Sequence, residues 1–406
     1  MSPVKKGFAG SDARSPQAGA VFATCNLAAQ GPSPQPITTC HLKSLALWTV
    51  SPDTIPPYMD LAVTRRPSAR NLLITRPGAC FTCHADGSCC TSIHLLGPVT
   101  KAEMVPVERL RKGSVVWDST IRGNVFAYKE NGTCVFLRDD NLCGVHAKIG
   151  VEQKPATCRK FPYSLVSTPD GRRVVTAHRC SCRTMGERAP LDPANVEKEI
   201  RIEGEPLRSE RSVTGKVPLT ARKSVSFESW KGIESALFAR LEKQENPWKV
   251  LGVKPFPKLA KGRKWADIAE DFQDQFDESA FEVAKAWFGD AILNVTEGEK
   301  FPKRERPWAR FYDGAEKRSK TKRKPIEMLN DFLADGIWSF DWLGYGSFAR
   351  GRYELATRLA VADSIGKQLI KQKVRSDRAY AEALLIIELV GITEHWEEVA
   401  PLMPNK

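Results

Sequence analysis

No run of apolar residues in this chain approaches the roughly 20 that a membrane-spanning helix requires. The longest, around Ala383 to Ile392, is broken by Glu388. The N-terminal region lacks the strongly apolar core of a secretory signal, because Ala18 to Ala29 is only weakly apolar behind Lys5, Lys6 and Arg14. A glycine-rich dinucleotide fingerprint is missing too, and Gly344-Tyr345-Gly346 reads as a loop-like pair. Histidine is scarce, with six in 406 residues, and no cysteine follows Cys182. These absences exclude a helical membrane protein and a standard nucleotide fold, and they predict a soluble, cytoplasmic chain with no membrane partner.

What is present is unevenly distributed. Nine of the eleven cysteines lie between Cys80 and Cys182, together with His84, His94, His146 and His178. Clustering on that scale means metal or redox chemistry in a reducing compartment; a secreted disulfide framework is the rival, but it belongs to short chains behind a signal peptide. The formal charge of +13 is also local. Eleven Lys or Arg against Glu305, Asp313 and Glu316 fall between Lys300 and Lys324, which reads as a solvated loop between helices. A polyanion contact is the minority reading, and nucleic acid is not an expected partner.

The chain is long enough for two domains plus loose segments. Residues 1–58 are rich in Pro, Gly, Ser and Ala without a sustained period, as in a disordered tail or a misplaced start ahead of Met59, with Cys25 and Cys40 incidental. Residues 59–185 read as a cysteine-rich module of short strands and loops. Asn131-Gly132 predicts a tight hairpin turn between Val125–Lys129 and Thr133–Leu137, and Val174–Ala177 predicts a strand delivering His178, Cys180 and Cys182. Residues 186–220, polar and proline-punctuated, read as a linker or an extended wrapping segment. Helical spacing dominates residues 221–406: Phe227, Trp230, Ile233, Leu237 and Leu241 recur at three and four, and Ile268 to Trp287 repeat the pattern with a change of phase near Asp277. Further helices are expected over Pro325–Phe332, Tyr353–Lys373 and Asp377–Leu389, with Trp230, Trp265, Trp287, Trp338 and Trp342 in their core. The expected class is α+β, a small metal-nucleated module followed by a mainly α-helical domain.

The candidate metal ligands are Cys80, Cys83, Cys89, Cys90, Cys134, Cys143 and Cys158, followed by Cys180 and Cys182. Two thiolates separated by two residues, as in Cys80-Phe81-Thr82-Cys83, can meet at one tetrahedral edge, and Gly87 eases the return to Cys89-Cys90. The remaining thiols sit on separate turns and converge only if the fold closes around them, so the module is expected to depend on metal for its fold. Nine thiols exceed the needs of one zinc; two zinc sites or a [4Fe-4S] cluster plus a second site both fit, and spacing does not separate zinc from iron. His146 is a candidate for completing a zinc site or else a histidine bonded to a carbonyl. Arg159 is read as offsetting thiolate charge or as a surface cation.

The order Cys80, Cys83, Cys89-Cys90, Cys134 before Phe136-Leu137, Cys143 before Val145-His146, and Lys154-Pro155 before Cys158-Arg159 and Phe161-Pro162 resembles the YkgJ-type cysteine-cluster family. The resemblance covers about residues 78 to 183 and implies a zinc- or iron-chelating domain. This chain departs from the family opening by placing five residues, Asp86-Gly87 among them, between Cys83 and Cys89 where two are usual. A looser resemblance to flagellin lysine N-methylase implies S-adenosylmethionine and a protein substrate, although the cysteine spacing of radical S-adenosylmethionine enzymes is absent. Three functions follow as expectations: a metal-binding protein, a protein lysine methylase with a pocket between the module and the helices, and a redox-responsive interaction protein. The oligomeric state has no signature in the sequence.

Overall fold

A computed structural model describes residues 72–118, 121–201, 208–275 and 278–406. The expected tail at 1–58, with Cys25 and Cys40, and the start at Met59 lie outside the described residues. The fold mixes few, short strands with a mostly helical C-terminal region, and no described helix is long and apolar enough to cross a membrane.

Strand β1 (Leu73–Thr75) leads through the first cysteines to helix α1 (Lys101–Leu110). Thr100 and Glu103 cap α1 reciprocally, satisfying two backbone donors that the helix start leaves open. Strands β2 (Val115–Asp118) and β3 (Gly123–Phe126) pair antiparallel. The predicted hairpin about Asn131-Gly132 forms as a turn with short antiparallel pairing: Lys129 N–H donates to Thr133 O at 2.7 Å, Gly132 N–H to Lys129 O at 2.8 Å and Val135 N–H to Ala127 O at 3.1 Å, with Tyr128 bridged to Cys134. On its other side Cys134 gives its amide to Cys90 O at 2.8 Å.

Short helices α2 (Gly144–Ile149) and α3 (Ala156–Lys160) precede the hairpin of β4 (Tyr163–Thr168) and β5 (Gly171–Thr176). Thr168 Oγ1 bonds both Asp170 and Gly171 in its turn. Gly171 is required there, since its φ of +146° disfavours a side chain and a Cβ would lie 2.8 Å from Leu72 O. β1 joins β5 in parallel, giving the order β1-β5-β4-β6, with β6 (Arg211–Ser212) parallel to β4. β5 ends where predicted to deliver His178 and helix α4 (Ser181–Thr184).

In the stretch 186–220, expected as an aperiodic linker or wrapping segment, the described residues are built into the fold. Helix α5 (Pro193–Ile200) starts where Asp192 accepts from Ala194 N–H and Pro193 fills the first turn, a position proline suits. It buries Val196 and Ile200 in a small core with Phe81, Tyr163 and Leu165. Val213 and Val217 enter the large helical core, the latter from β7 (Val217–Pro218), which pairs with β8 (Ser224–Val225). These apolar residues are too widely spaced to show a period.

The C-terminal part comprises α6 (Phe227–Glu242), α7 (Pro247–Leu251), α8 (Trp265–Gln273), α9 (Ala280–Thr296), α10 (Ala309–Arg318), α11 (Pro325–Trp338), α12 (Phe348–Lys371), α13 (Ser376–Gly391) and α14 (Glu394–Val399). The phase change near 277 separates α8 from α9, whose start is capped by Ser279. α12 begins earlier than predicted because Ser347 caps it. All five tryptophans named from sequence are buried, with Trp230 packed against Phe340, Trp342 and Phe348 at ring separations of 5.7, 5.0 and 4.8 Å.

Residues 66–406 cluster as one compact unit, and buried ion pairs explain how the cysteine-bearing elements are attached to the helices. Arg173 on β5 forms a two-point pair with Glu234 of α6, at 2.7 and 3.0 Å, while its guanidinium lies 3.8 Å from the centre of the Trp338 ring. Beside it, α11 presents Asp331 and Asp335 one turn apart. Asp335 takes Arg76 Nε at 2.6 Å, Arg183 Nη2 at 2.7 Å and His178 Nε2 at 2.8 Å. Asp331 takes Arg76, Arg183 and Arg323. Burial would raise both carboxyl pKa values, but the facing guanidinium groups of Arg76 and Arg183 outweigh it and hold both below the usual carboxylate range.

Removing one carboxylate leaves two buried arginines sharing a single counter-charge, which costs up to about 3–5 kcal/mol. Asp335→Asn is therefore predicted to destabilise the fold by that amount near pH 7, measured by denaturant unfolding. Because the folded-state carboxyl pKa values are depressed, the stabilisation is complete above the unfolded value of about 4 and is lost as pH falls below it. Asp335→Asn should accordingly flatten the acid side of the stability-versus-pH curve.

Candidate metal centre

The nine described cysteines are all free, and they do not form one cluster. One group is Cys83, Cys180 and Cys182. The Cys182 thiol hydrogen-bonds with those of Cys180 and Cys83, and the backbone N–H groups of His84 and Ala85 donate to the sulfurs of Cys182 and Cys83 at 3.3 and 3.4 Å. Cys180 and Cys182 reach this place because β5 runs directly into α4, with Cys180 as its N-cap.

The second group is Cys89, Cys90, Cys134, Cys143 and Cys158. Cys89 and Cys90 hold their sulfurs 4.0 Å apart. Gly87, at a φ of +78°, turns the chain into the short helical turn that carries them, close against Asn141. Cys134 receives the backbone amides of Phe136 and Leu137, while Cys143 pairs with Leu137 and caps α2. Cys158, on α3, senses Cys134, Cys143 and Cys89. Cys80 joins neither group through its thiol: its backbone is bridged to Pro190, and its sulfur faces Gly78 O at 3.5 Å.

The thiol pKa values follow from this crowding. Burial pushes Cys134 up to about 11 although two amides favour its thiolate. Burial also drives Cys158 up, with Lys154 as the opposing cation. The bond from Cys90 and burial raise Cys89 well above the ordinary thiol value. The bond to Cys182 raises Cys83, and the bond to Cys180 raises Cys182. Each of these shifts favours the neutral thiol over the thiolate.

Among the described residues no three thiols lie within 4.8 Å of one another; the group of three candidate ligand atoms that does is His178, Asp331 and Asp335. That triad is no cation site, because Arg76, Arg183 and Arg323 put three positive charges against its two carboxylates. Of the histidines that cluster with the cysteines in sequence, His84 gives its backbone N–H to Cys182 and His178 is bonded through Nε2 to Asp335. His146 is exposed on α2 and is not the carbonyl-bonded, half-buried residue of the alternative reading. His94 is buried against Phe161, and burial, helped by Arg179, lowers its pKa to about 3. Arg159 donates to Lys154 O at 2.9 Å, so the cation acting most on Cys158 is Lys154.

The basic run is not the wholly solvated loop expected. Arg318 caps the His84 and Ala85 carbonyls, Arg310 the Asn131 carbonyl, and Arg323 bonds Asp331. Three of its arginines thus brace the thiol-bearing loops or the network beneath them, while Lys317, Lys320, Lys322 and Lys324 are exposed.

One buried carboxylate beside the thiols escaped the sequence reading. Asp86 is buried beside Cys182, with its Oδ2 3.3 Å from that sulfur. Its signal was the longer spacing between Cys83 and Cys89. Two open cavities, of 520 and 610 Å³, lie against Arg111, Phe136 and Lys148 and against Phe256, Trp265 and Glu297. Neither lies between the cysteine region and the helices. Set against protein-family models, curated proteins and solved structures, the chain matches none.

Thiols held neutral must lose protons to bind a metal ion, so binding is predicted to release protons and its apparent affinity to rise steeply with pH. Titrating apo protein with zinc by calorimetry in buffers of different ionisation enthalpy checks this, and buffer-independent heats would contradict it.

Proposed function

We propose that this chain is a metal-binding protein of the YkgJ type, acting in a reducing, cytoplasmic compartment and holding one centre in each thiol group. The observation that carries this reading is the sorting of eight of the nine described thiols into two groups, with backbone N–H groups donating to the sulfurs of Cys182 and Cys83 at 3.3 and 3.4 Å. Amide donors aimed at sulfur stabilise thiolates, which is the form that binds metal. The absence of disulfides among the described cysteines fits the same compartment.

The five-thiol group offers Cys89, Cys90, Cys134, Cys143 and Cys158, enough for the four thiolates of a tetrahedral zinc or a [4Fe-4S] cluster with one in reserve. Zinc there braces loops that are otherwise tied by isolated bridges, and an iron–sulfur cluster adds electron transfer. The chain's own residues set the donor positions: the Leu137–Cys143 bridge and the Cys134–Cys90 backbone bond bring three separate turns together.

Anaerobic purification with analysis of iron, sulfide and zinc tests the reading. The wild type is expected to hold near-stoichiometric metal. Cys134→Ser with Cys158→Ser should lose the centre of the five-thiol group and, since a structural ion contributes on the order of 10 kcal/mol, the folding of that region. Wild-type protein that neither retains nor takes up metal would overturn the reading.

A further inference from the structure

The exposed lysines between α10 and α11 are set out in order. Ser319 and Lys324, which bound the segment, have extended backbone, and along it anchored residues alternate with cations. Ser319 is buried with Gly186 packed against it, Thr321 accepts the Glu187 N–H at 2.7 Å, and Arg323 donates to Asp331 at 2.9 Å. Lys320, Lys322 and Lys324 are exposed. Extended chain sends successive side chains to opposite sides, so pinning every second residue turns the lysines outward about 6–7 Å apart. The nearby acids of α10 are already spent, Asp313 and Glu316 pairing with Arg378 and Glu316 also with Arg375. Among the described residues no acid pairs with Lys320 or Lys322, and Lys324 meets Glu327 only at 3.8 Å.

This segment begins at the loop of an exposed thiol. Arg318, directly ahead of it, donates to His84 O at 2.6 Å and to Ala85 O. Cys83, the residue before His84, is the one exposed thiol among the nine described. Glu187, whose N–H holds Thr321, is exposed and offsets at most one positive charge. Its neighbour Arg188 adds a further cation, donating to Cys182 O at 2.8 Å.

We propose that residues 317–324 are a docking strip for an acidic protein partner, which they bring to the loop of Cys83. An extended acidic segment with carboxylates at alternate positions has the same spacing of about 6–7 Å as the lysines. Because the anchors hold the backbone in place, binding need not order it first, and the uncompensated charge steers an anionic partner to this face. The exposed large apolar side chains of the described residues all lie outside 300–324. The strip therefore offers no exposed ring for nucleic-acid bases to stack on and no apolar face to enter a membrane, which leaves an acidic protein as the occupant that its chemistry fits. That the docked partner meets a metal-binding thiol rests on the reading above; the docking does not.

The test titrates full-length protein, purified anaerobically and analysed for metal, into a fluorescent peptide of alternating Glu and Ser and follows anisotropy, with the Gln-for-Glu peptide and octa-uridylate as comparisons. The Glu peptide should bind, the Gln peptide should not, and affinity should fall on the order of tenfold between about 20 and 300 mM salt. Lys320→Glu with Lys322→Glu should weaken binding on the order of tenfold, and Lys320→Ala with Lys322→Ala should act in the same direction. Lys258→Glu with Lys261→Glu, an equal change of net charge at exposed positions elsewhere, should leave it unchanged. A benzophenone on the peptide should crosslink to residues 82–85 and 317–324, located by mass spectrometry. Equal weakening by the two Lys→Glu pairs, crosslinks confined to other residues, or octa-uridylate binding more tightly than the Glu peptide and lost in Lys320→Glu with Lys322→Glu overturns the acidic-protein assignment. Metal-free protein that binds the peptide and takes up no metal overturns the metal-binding reading and leaves the docking strip standing.

Discussion

The junction that presents Cys180 and Cys182 depends on two carboxylates of α11. Asp331 and Asp335 gather Arg76 from the end of β1, Arg183 from α4, Arg323 from the loop before α11 and His178 from the end of β5. Three of these four cationic or polar partners lie within ten residues of a thiol: Arg76 before Cys80, and His178 and Arg183 flanking Cys180 and Cys182. A network of this kind contributes little net stability over an apolar core, but it fixes geometry because any displacement strands a buried charge. The strand that delivers Cys180 and Cys182 is thus held to a helix more than 140 residues away in sequence.

The thiols impose the opposite demand. Brought together without a cation they raise one another's ionisation cost, directly in Cys89 and Cys83 and through burial in Cys134 and Cys158. The fold answers with backbone amides directed at sulfur and with arginines that cap loop carbonyls. Arg318 and Arg310 stand at the two ends of α10 and grip the loops of the two thiol groups, so a run that reads as surplus charge works as a brace. Arginine suits that task, having several donors in a fixed fork and a charge that does not titrate.

Much of the helical region was legible in the sequence. The three- and four-residue spacing from Phe227 to Leu241, the break near Asp277 and the burial of all five named tryptophans each reflect a local pattern meeting one large core. The hairpin turn at Asn131-Gly132 and the strand before His178 were legible because turn chemistry and strand alternation are local. The region 186–220 was not, since Val196, Ile200, Val213 and Val217 enter two different cores at irregular intervals. The division of the thiols into two groups was likewise invisible, because it depends on which turns the Cys134–Cys90 backbone bond and the β5–α4 junction bring together.

By itself the sequence determined which residues carry sulfur, that they crowd into a quarter of the chain, and that a helical region follows. Those are matters of composition and short-range spacing. Only the tertiary structure decided which thiols are neighbours, that Cys80 stands aside while Asp86 lies against Cys182, and that the acids on α11 face arginines. The physical reason is range. Periodicity and turn propensity act over a few residues, whereas the pairing of a buried charge is settled by whatever group the folded chain sets opposite it.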